Sequence, residues 1–315
     1  MHKLLVIYFF ILLHTQSFNI KNIKSGYILD TKLYSNKNKN TTPKYDYVYV
    51  NDYEELDVVI ENKIKALNLK KNLVLSNTNE YINEEDVYKY MENNIDNYEK
   101  KKLIILSPGG INGFYMLGVC SYIKENYNLK NYIYSGASAG AWNALYMIGN
   151  GNANFKDLIF SINFEELSSV MELQFVLKTK ILENINNVKY DYNRLFIGVT
   201  AMQGLNLVTN IYTQFVDLKD ALDCCIASSH IPFITGGFVN KYHNITTFDG
   251  GIGKNPYINT SEPVLHIYPG MWNNEEIKGL ESLRYKKNKA LFIELFEKGY
   301  NDTRENKDYL DKVLL

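Results

Sequence analysis

Three short stretches hold the residues best suited to bond-making chemistry. The first is Gly136-Ala137-Ser138-Ala139-Gly140, set between the apolar run Tyr132-Ile133-Tyr134 and a helix-forming stretch at 141–148. A serine between two glycines at a strand-to-helix turn is lifted clear of the backbone. The glycines let strand and helix approach closely and permit a strained conformation at the serine. Ser138 is therefore a candidate nucleophile, although a small-residue turn without chemistry has the same composition. The second stretch is Ser107-Pro108-Gly109-Gly110-Ile111-Asn112-Gly113, directly after the apolar run Leu103-Ile104-Ile105-Leu106. It lacks the glycine spacing of a dinucleotide fingerprint and the Gly-Lys-Ser/Thr ending of a phosphate loop. As an oxyanion loop it needs only two backbone donors near a serine, which Gly109 and Gly110 supply. The third stretch is Asp249-Gly250-Gly251, after Ile245-Thr246-Thr247-Phe248. Asp249 reads either as a turn residue or as a carboxylate presented at a strand end by a backbone that needs room.

Bringing three such loops together requires strands that alternate with helices, and the chain is patterned that way. Strands are expected at 45–50, 73–75, 103–106, 132–134, 195–200, 205–212, 245–248 and 264–268. Between them, helical periodicity places Leu56, Val59, Ile60, Ile64 and Leu67 on one face, and Val87, Tyr90, Met91, Ile95 and Tyr98 on another. Further helices are expected at 114–127, at 141–148, after Asp217 as N-cap, and at 287–298 ending on Gly299. This order predicts a three-layer α/β/α fold with a mostly parallel central sheet covered on both faces. The apolar helical region 155–185 separates the Ser138 turn from the next sheet strand, and reads equally as a roof over the site or as cover for the sheet.

The N-terminus differs in character. Residues 4–13 are unbroken apolar after a short basic start, and His14-Thr15-Gln16-Ser17 turns polar. That is the layout of a secretory signal peptide cleaved near Ser17, and the run is shorter than an ordinary transmembrane helix. An uncleaved anchor or a buried N-terminal strand is the alternative. Entry into the secretory pathway is the expectation, with 1–17 as signal peptide, 18–44 as a polar linker that is least patterned at 35–43, and 45–315 as a single domain.

Totals exclude several functions. A formal net charge of −1 gives no electrostatic basis for binding nucleic acid. Cys120, Cys224 and Cys225 are too few for a disulfide framework and are not spaced as zinc ligands, and a serine nucleophile with an aspartate base needs neither a metal nor an organic cofactor. Asn40, Asn244, Asn259 and Asn301 stand in glycosylation sequons, which arise by chance in so Asn-rich a chain. The excess of Tyr, 26 in all, reads as coding bias rather than function.

Taken together, residues 101–265 resemble the patatin-like phospholipase family. That family carries a glycine-rich oxyanion loop, then G-x-S-x-G about one strand-helix unit later, then a late Asp-Gly-Gly or Asp-Gly-Ala. Here Gly109, Gly110 and Gly113, then Gly136 and Gly140 around Ser138, then Asp249, Gly250 and Gly251 stand in that order. The segment 221–232, with Ala227-Ser228-Ser229 and Ile231-Pro232, is similar to the family's segment before the aspartate strand. The resemblance implies a lipid acyl hydrolase with Ser138 as nucleophile, Asp249 as its base, Gly109 and Gly110 as oxyanion hole, no metal, and a lipid substrate at a membrane or lipid-droplet surface.

Two positions depart from the family loop, which commonly reads G-G-G-x-R/K-G: Pro108 replaces the first glycine and Asn112 the basic residue. Pro108 has no N–H, so the hole rests on Gly109 and Gly110. Asn112 carries no charge for a phosphate, and some animal members that lack the basic residue act on neutral lipids. Two rival readings stand beside the dyad. Ser138, Asp249 and His266 follow the order of an α/β-hydrolase triad, whereas His230 and His243 have no motif around them. Alternatively, the chain is a lipid-binding protein that keeps the fold without catalysis.

Overall fold

The computed structural model describes residues 18–23, 26–31, 46–50, 69–150, 155–184, 188–204, 206–260, 262–284 and 287–315. Phe18–Ile23 (β1), Gly26–Thr31 (β2) and Asp46–Val50 (β3) form an antiparallel sheet in that order. Strand β3 falls where the sequence predicts one, and β1 and β2 occupy part of the 18–44 stretch. The apolar run at 4–13 with its cleavage site, the unpatterned 35–43 and the helix expected at 53–67 lie outside the described residues.

The main sheet begins with Lys71–Leu75 (β4) and Glu80–Ile82 (β5). Val87–Asn94 (α1) is shorter than its periodicity predicts, because Ile95 turns extended and Asn97 takes a left-handed φ of 53°. Lys102–Leu106 (β6), Gly113–Asn126 (α2), Tyr132–Ala137 (β7) and Ala139–Ile148 (α3) are two successive strand-helix units. Gly149–Asn150 (β8) pairs with Lys189–Tyr190 (β9), which closes off an excursion holding Phe155–Phe160 (α4) and Val170–Asn184 (α5). Leu195–Gln203 (β10) and Asn206–Thr213 (β11) form an antiparallel hairpin around Gly204, whose φ is +63°. Leu218–Ser228 (α6) begins on Asp217, whose carboxylate accepts from the Asp220 N–H. Asn240–Tyr242 (β12), Ile245–Phe248 (β13), Leu265–Ile267 (β14), Lys289–Glu305 (α7) and Lys307–Leu314 (α8) complete the described elements longer than a 3-10 turn.

Strand order is β14-β6-β7-β10-β11-β4-β5, with β13 laid antiparallel on β10 and β12 on β13. The pairs β14–β6, β6–β7, β7–β10 and β11–β4 are parallel. Because side chains alternate along a strand, each strand feeds two cores. Leu73, Leu103, Ile133, Phe196 and Ile211 meet Val87 and Met91 of α1 on one face. Val74, Ile104, Leu106, Tyr134, Ile197 and Tyr212 meet α2, α3, α6 and α7 on the other. The result is the three-layer α/β/α arrangement that the sequence predicts.

The C-terminal helix corrects one expectation. Gly299 reads as a helix end, yet α7 runs through it to Glu305. A Cβ at Gly299 would lie 2.0 Å from Tyr115 O, and one at Gly118 would lie 2.0 Å from Phe296 O. The two glycines are where α2 and α7 cross backbone to backbone, so the missing side chain serves packing rather than a C-cap. We expect Gly299→Ala to force the helices apart and cost at least about 1–3 kcal/mol in urea unfolding. Gly237→Ala, where a Cβ meets nothing within 4 Å, is the control and should stay within about 0.5 kcal/mol of wild type.

Candidate active site

Strand β7 ends at Ala137 and α3 starts at Ala139, so Ser138 alone makes the turn. It does so at φ 53°, ψ −125°, a region that a residue with a side chain enters only under strain. The flanking glycines allow it. A Cβ on Gly136 would lie 2.3 Å from Gly140 O, and one on Gly140 would lie 2.1 Å from Leu106 O. The Ser138 N–H donates to Ser228 Oγ at 2.8 Å, and the Ser228 hydroxyl donates onward to Gly198 O at 2.6 Å. The end of α6 thus fixes the turn from behind.

In front of the turn, Ser138 Oγ donates to Asp249 Oδ2 at 2.6 Å. Both residues are 7% exposed. Asp249 is held at every polar atom. Its Oδ1 accepts from the Gly251 N–H at 2.7 Å, its own N–H donates to His230 O at 2.7 Å, and its carbonyl accepts from Thr200 Oγ1 at 2.9 Å. One carboxylate oxygen of Asp249 thus closes the turn while the other faces Ser138. Gly250 lies so close to β10 that a Cβ would be 2.1 Å from Gly198 O, and Gly198 is bare because Pro256 O would sit 2.0 Å from its own Cβ. Burial pushes the Asp249 carboxyl up to about 6, while the bonds from Ser138 and Gly251 oppose that shift.

The loop after β6 packs against the same turn. A Cβ on Gly113 would stand 2.9 Å from the Ala139 Cβ, and one on Gly251 2.9 Å from Pro108 Cγ. Gly110, at φ +52°, lies under Ser282 O and lines the cavity that also exposes Ser138 and Asp249. Gly109 sits behind it, against Pro269 and Met116. Neither the Gly109 nor the Gly110 N–H donates a hydrogen bond within the described residues. Asn112 has a different task from the basic residue at its position in the family loop. It is 2% exposed, its Nδ2 donates to Ile277 O at 2.8 Å and to Gly109 O at 3.1 Å, and its Oδ1 accepts from the Ile277 N–H at 3.0 Å. It clasps the glycine loop to the 271–283 segment.

Among the described histidines, no ring is hydrogen-bonded to Ser138 or Asp249. His266 Nε2 is 2.6 Å from Ser107 Oγ, with the ring between Tyr257 and Tyr268 on the edge strand β14. His243 Nε2 faces Ser76 Oγ at 3.0 Å and Asp220 Oδ1 at 3.2 Å. His230 meets Asp249 only through its backbone carbonyl. Since Ser138 and Asp249 bond directly, no ring stands between them.

A cavity of about 150 Å³ opens above the pair. Phe114 and Leu117 of α2, Leu173, Leu177 and Ile181 of α5, and Phe292 of α7 are among the apolar side chains of its walls. Of the two roles read for 155–185, α5 therefore roofs the site. Residues 104–260 match the family model described as patatin-like phospholipase, a span that contains the glycine loop, the Ser138 turn and Asp249. The chain belongs to the patatin-like phospholipase family. Members of this family are generally lipid hydrolases. No curated protein matches the chain. The sequence marks none of Ser228, Thr200 and Gly198 as a support, although Ser228 lies in the family-like segment 221–232 and Gly198 is a glycine inside an apolar strand.

The raised Asp249 carboxyl carries a stability consequence with a definite sign. A carboxyl at about 6 in the folded chain and near 3.8 unfolded binds more protons when folded. Stability is then greatest below the lower value and falls as pH rises through the upper one. Asp249→Asn removes this linkage. Its unfolding free energy relative to wild type should rise by on the order of 2 kcal/mol from about pH 4 to pH 8, measured by urea denaturation.

Proposed function

We propose that this protein is a serine acyl hydrolase that cleaves carboxylic ester bonds of lipids, phospholipids or acylglycerols, through Ser138 and Asp249. The observation that carries the reading is the 2.6 Å bond from Ser138 Oγ to Asp249 Oδ2 on the floor of an apolar cavity. Ser138 Oγ attacks the ester carbonyl carbon while its proton passes to Asp249 Oδ2. The carbonyl oxygen becomes an oxyanion, held by the N–H groups of Gly109 and Gly110; losing one such donor costs about 3 kcal/mol in other enzymes. The start of α3 adds the positive end of a helix dipole beside it. Collapse breaks the ester C–O bond, Asp249 returns the proton to the leaving alcohol, and an acyl ester remains on Ser138. Water then gives a proton to Asp249 as its oxygen attacks that ester; the acyl C–Oγ bond breaks, Asp249 returns the proton to Ser138 Oγ, and the carboxylic acid leaves.

A lipid surface as partner is supported by the outer side of the roof. Met171 and Phe175 of α5, and Phe233, Phe238 and Val239 of the loop after α6, are exposed. The two groups adjoin at Gly236, where a Cβ would be 3.7 Å from Met171 Sδ. Apolar side chains gathered on the elements that wall the cavity suit a lipid interface better than water.

Three measurements test the reading. A fluorophosphonate probe should label the folded protein, and Ser138→Ala should abolish the label; no labelling and no esterase activity would instead leave a lipid-binding protein. Asp249→Asn should lower kcat by about 10²–10⁴-fold, whereas His266→Ala should keep most of the turnover, the reverse of a triad. Because Asp249 must be ionised to accept the serine proton, kcat/KM should rise about tenfold per pH unit up to about pH 6 and level off above it.

A further inference from the structure

Among the polar side chains that line the cavity, Gln174 alone has no hydrogen-bond partner within the described residues. Asn143 donates to Gly113 O and Ala139 O, Ser229 to Cys225 O, and Thr235 bonds Ile231. Gln174 sits in the cavity wall on α5, next to Leu173 and one turn from Leu177, and is 8% exposed. Its amide nitrogen and oxygen are not among the buried polar atoms that lack a partner, so they stay accessible and free to bond what enters the cavity.

The chemistry of the amide restricts what it meets. A primary amide offers one acceptor oxygen and two N–H donors, which suits a hydroxyl or an ester carbonyl. A phosphate oxygen favours a cation, and the cavity wall holds none except Arg284, which is 70% exposed by side chain and paired to Glu281 Oε2 at 3.3 Å. Asn112, at the family's basic position, is committed to Ile277.

We infer that Gln174 binds a second, uncharged oxygen of the substrate, a free hydroxyl or a neighbouring ester carbonyl, so that the site selects esters of a neutral polyol. This rests on the hydrolase reading above and narrows its substrate. Gln174 touches no reacting atom in this scheme; it sets specificity by holding the alcohol part of the ester.

A matched pair of substrates tests it: 1-monooctanoylglycerol, and propyl octanoate, which has the same acyl group and three-carbon alcohol without the two hydroxyls. Wild type should favour the glycerol ester in kcat/KM by about tenfold, the discrimination of roughly one good hydrogen bond. Gln174→Met, which keeps length and removes the amide, should bring the ratio of kcat/KM for the two esters close to one, whereas a tenfold ratio that survives the substitution overturns the inference. Its thermal midpoint should stay near wild type, and Gln174→Leu repeats the comparison if that variant does not fold. Equal kcat/KM for the two esters in wild type overturns the inference and leaves the hydrolase intact. So does a preference for 1-octanoylglycerol 3-phosphate that survives Gln174→Met, since that points to Arg284. Absence of Ser138-dependent turnover on every ester overturns the hydrolase reading, and this inference with it.

Discussion

Everything at this site depends on how closely two backbones pass beneath Ser138. With Gly140 facing Leu106 O and Gly136 facing Gly140 O, β6, β7 and α3 stand nearer than any side chain permits. That closeness leaves Ser138 no relaxed conformation, and it also brings the glycine loop, which leaves β6 one residue later, against the same turn. The glycine loop and the Ser138 turn are neighbours because two strands are neighbours, and the glycines convert strand spacing into contact distance. The same device recurs on the other side, where Gly250 and Gly198 let the Asp249 turn lie on β10.

The aspartate shows how such closeness sets chemistry. A carboxylate on an open loop would be solvated and weakly basic. Here three backbone or hydroxyl contacts fix its position while burial raises its proton affinity. Holding that ionised carboxylate in a dry place disfavours the folded state, and the surrounding sheet offsets the cost.

Much of this was readable from the chain. The alternation of apolar strands and amphipathic helices gave the layers, because strand alternation and helix periodicity report burial directly. The glycines of the three stretches also marked where backbones approach, since glycine spacing records where backbones must touch. Three features were hidden for physical reasons. Gly299 looked like a helix end because a glycine used for helix crossing and one used for capping are the same residue, and only the partner α2 tells them apart. Ser228 and Thr200 support the site through hydroxyls whose partners are 90 and 49 residues away, a relation that no local pattern encodes. Asn112 looked like a lost cation, and its actual bond is to a backbone segment 165 residues downstream.

That last bond bears on how much chain makes a working unit. The residues shared with the family end at 260, yet Asn112 is clasped by Ile277, Gly110 lies beneath Ser282, and Phe292 closes one wall of the cavity. A fragment cut at the family boundary would keep the serine and the aspartate while removing the brace that shapes the glycine loop and part of the pocket. Homology and mechanical completeness therefore have different borders in this chain, and the second lies well beyond the first.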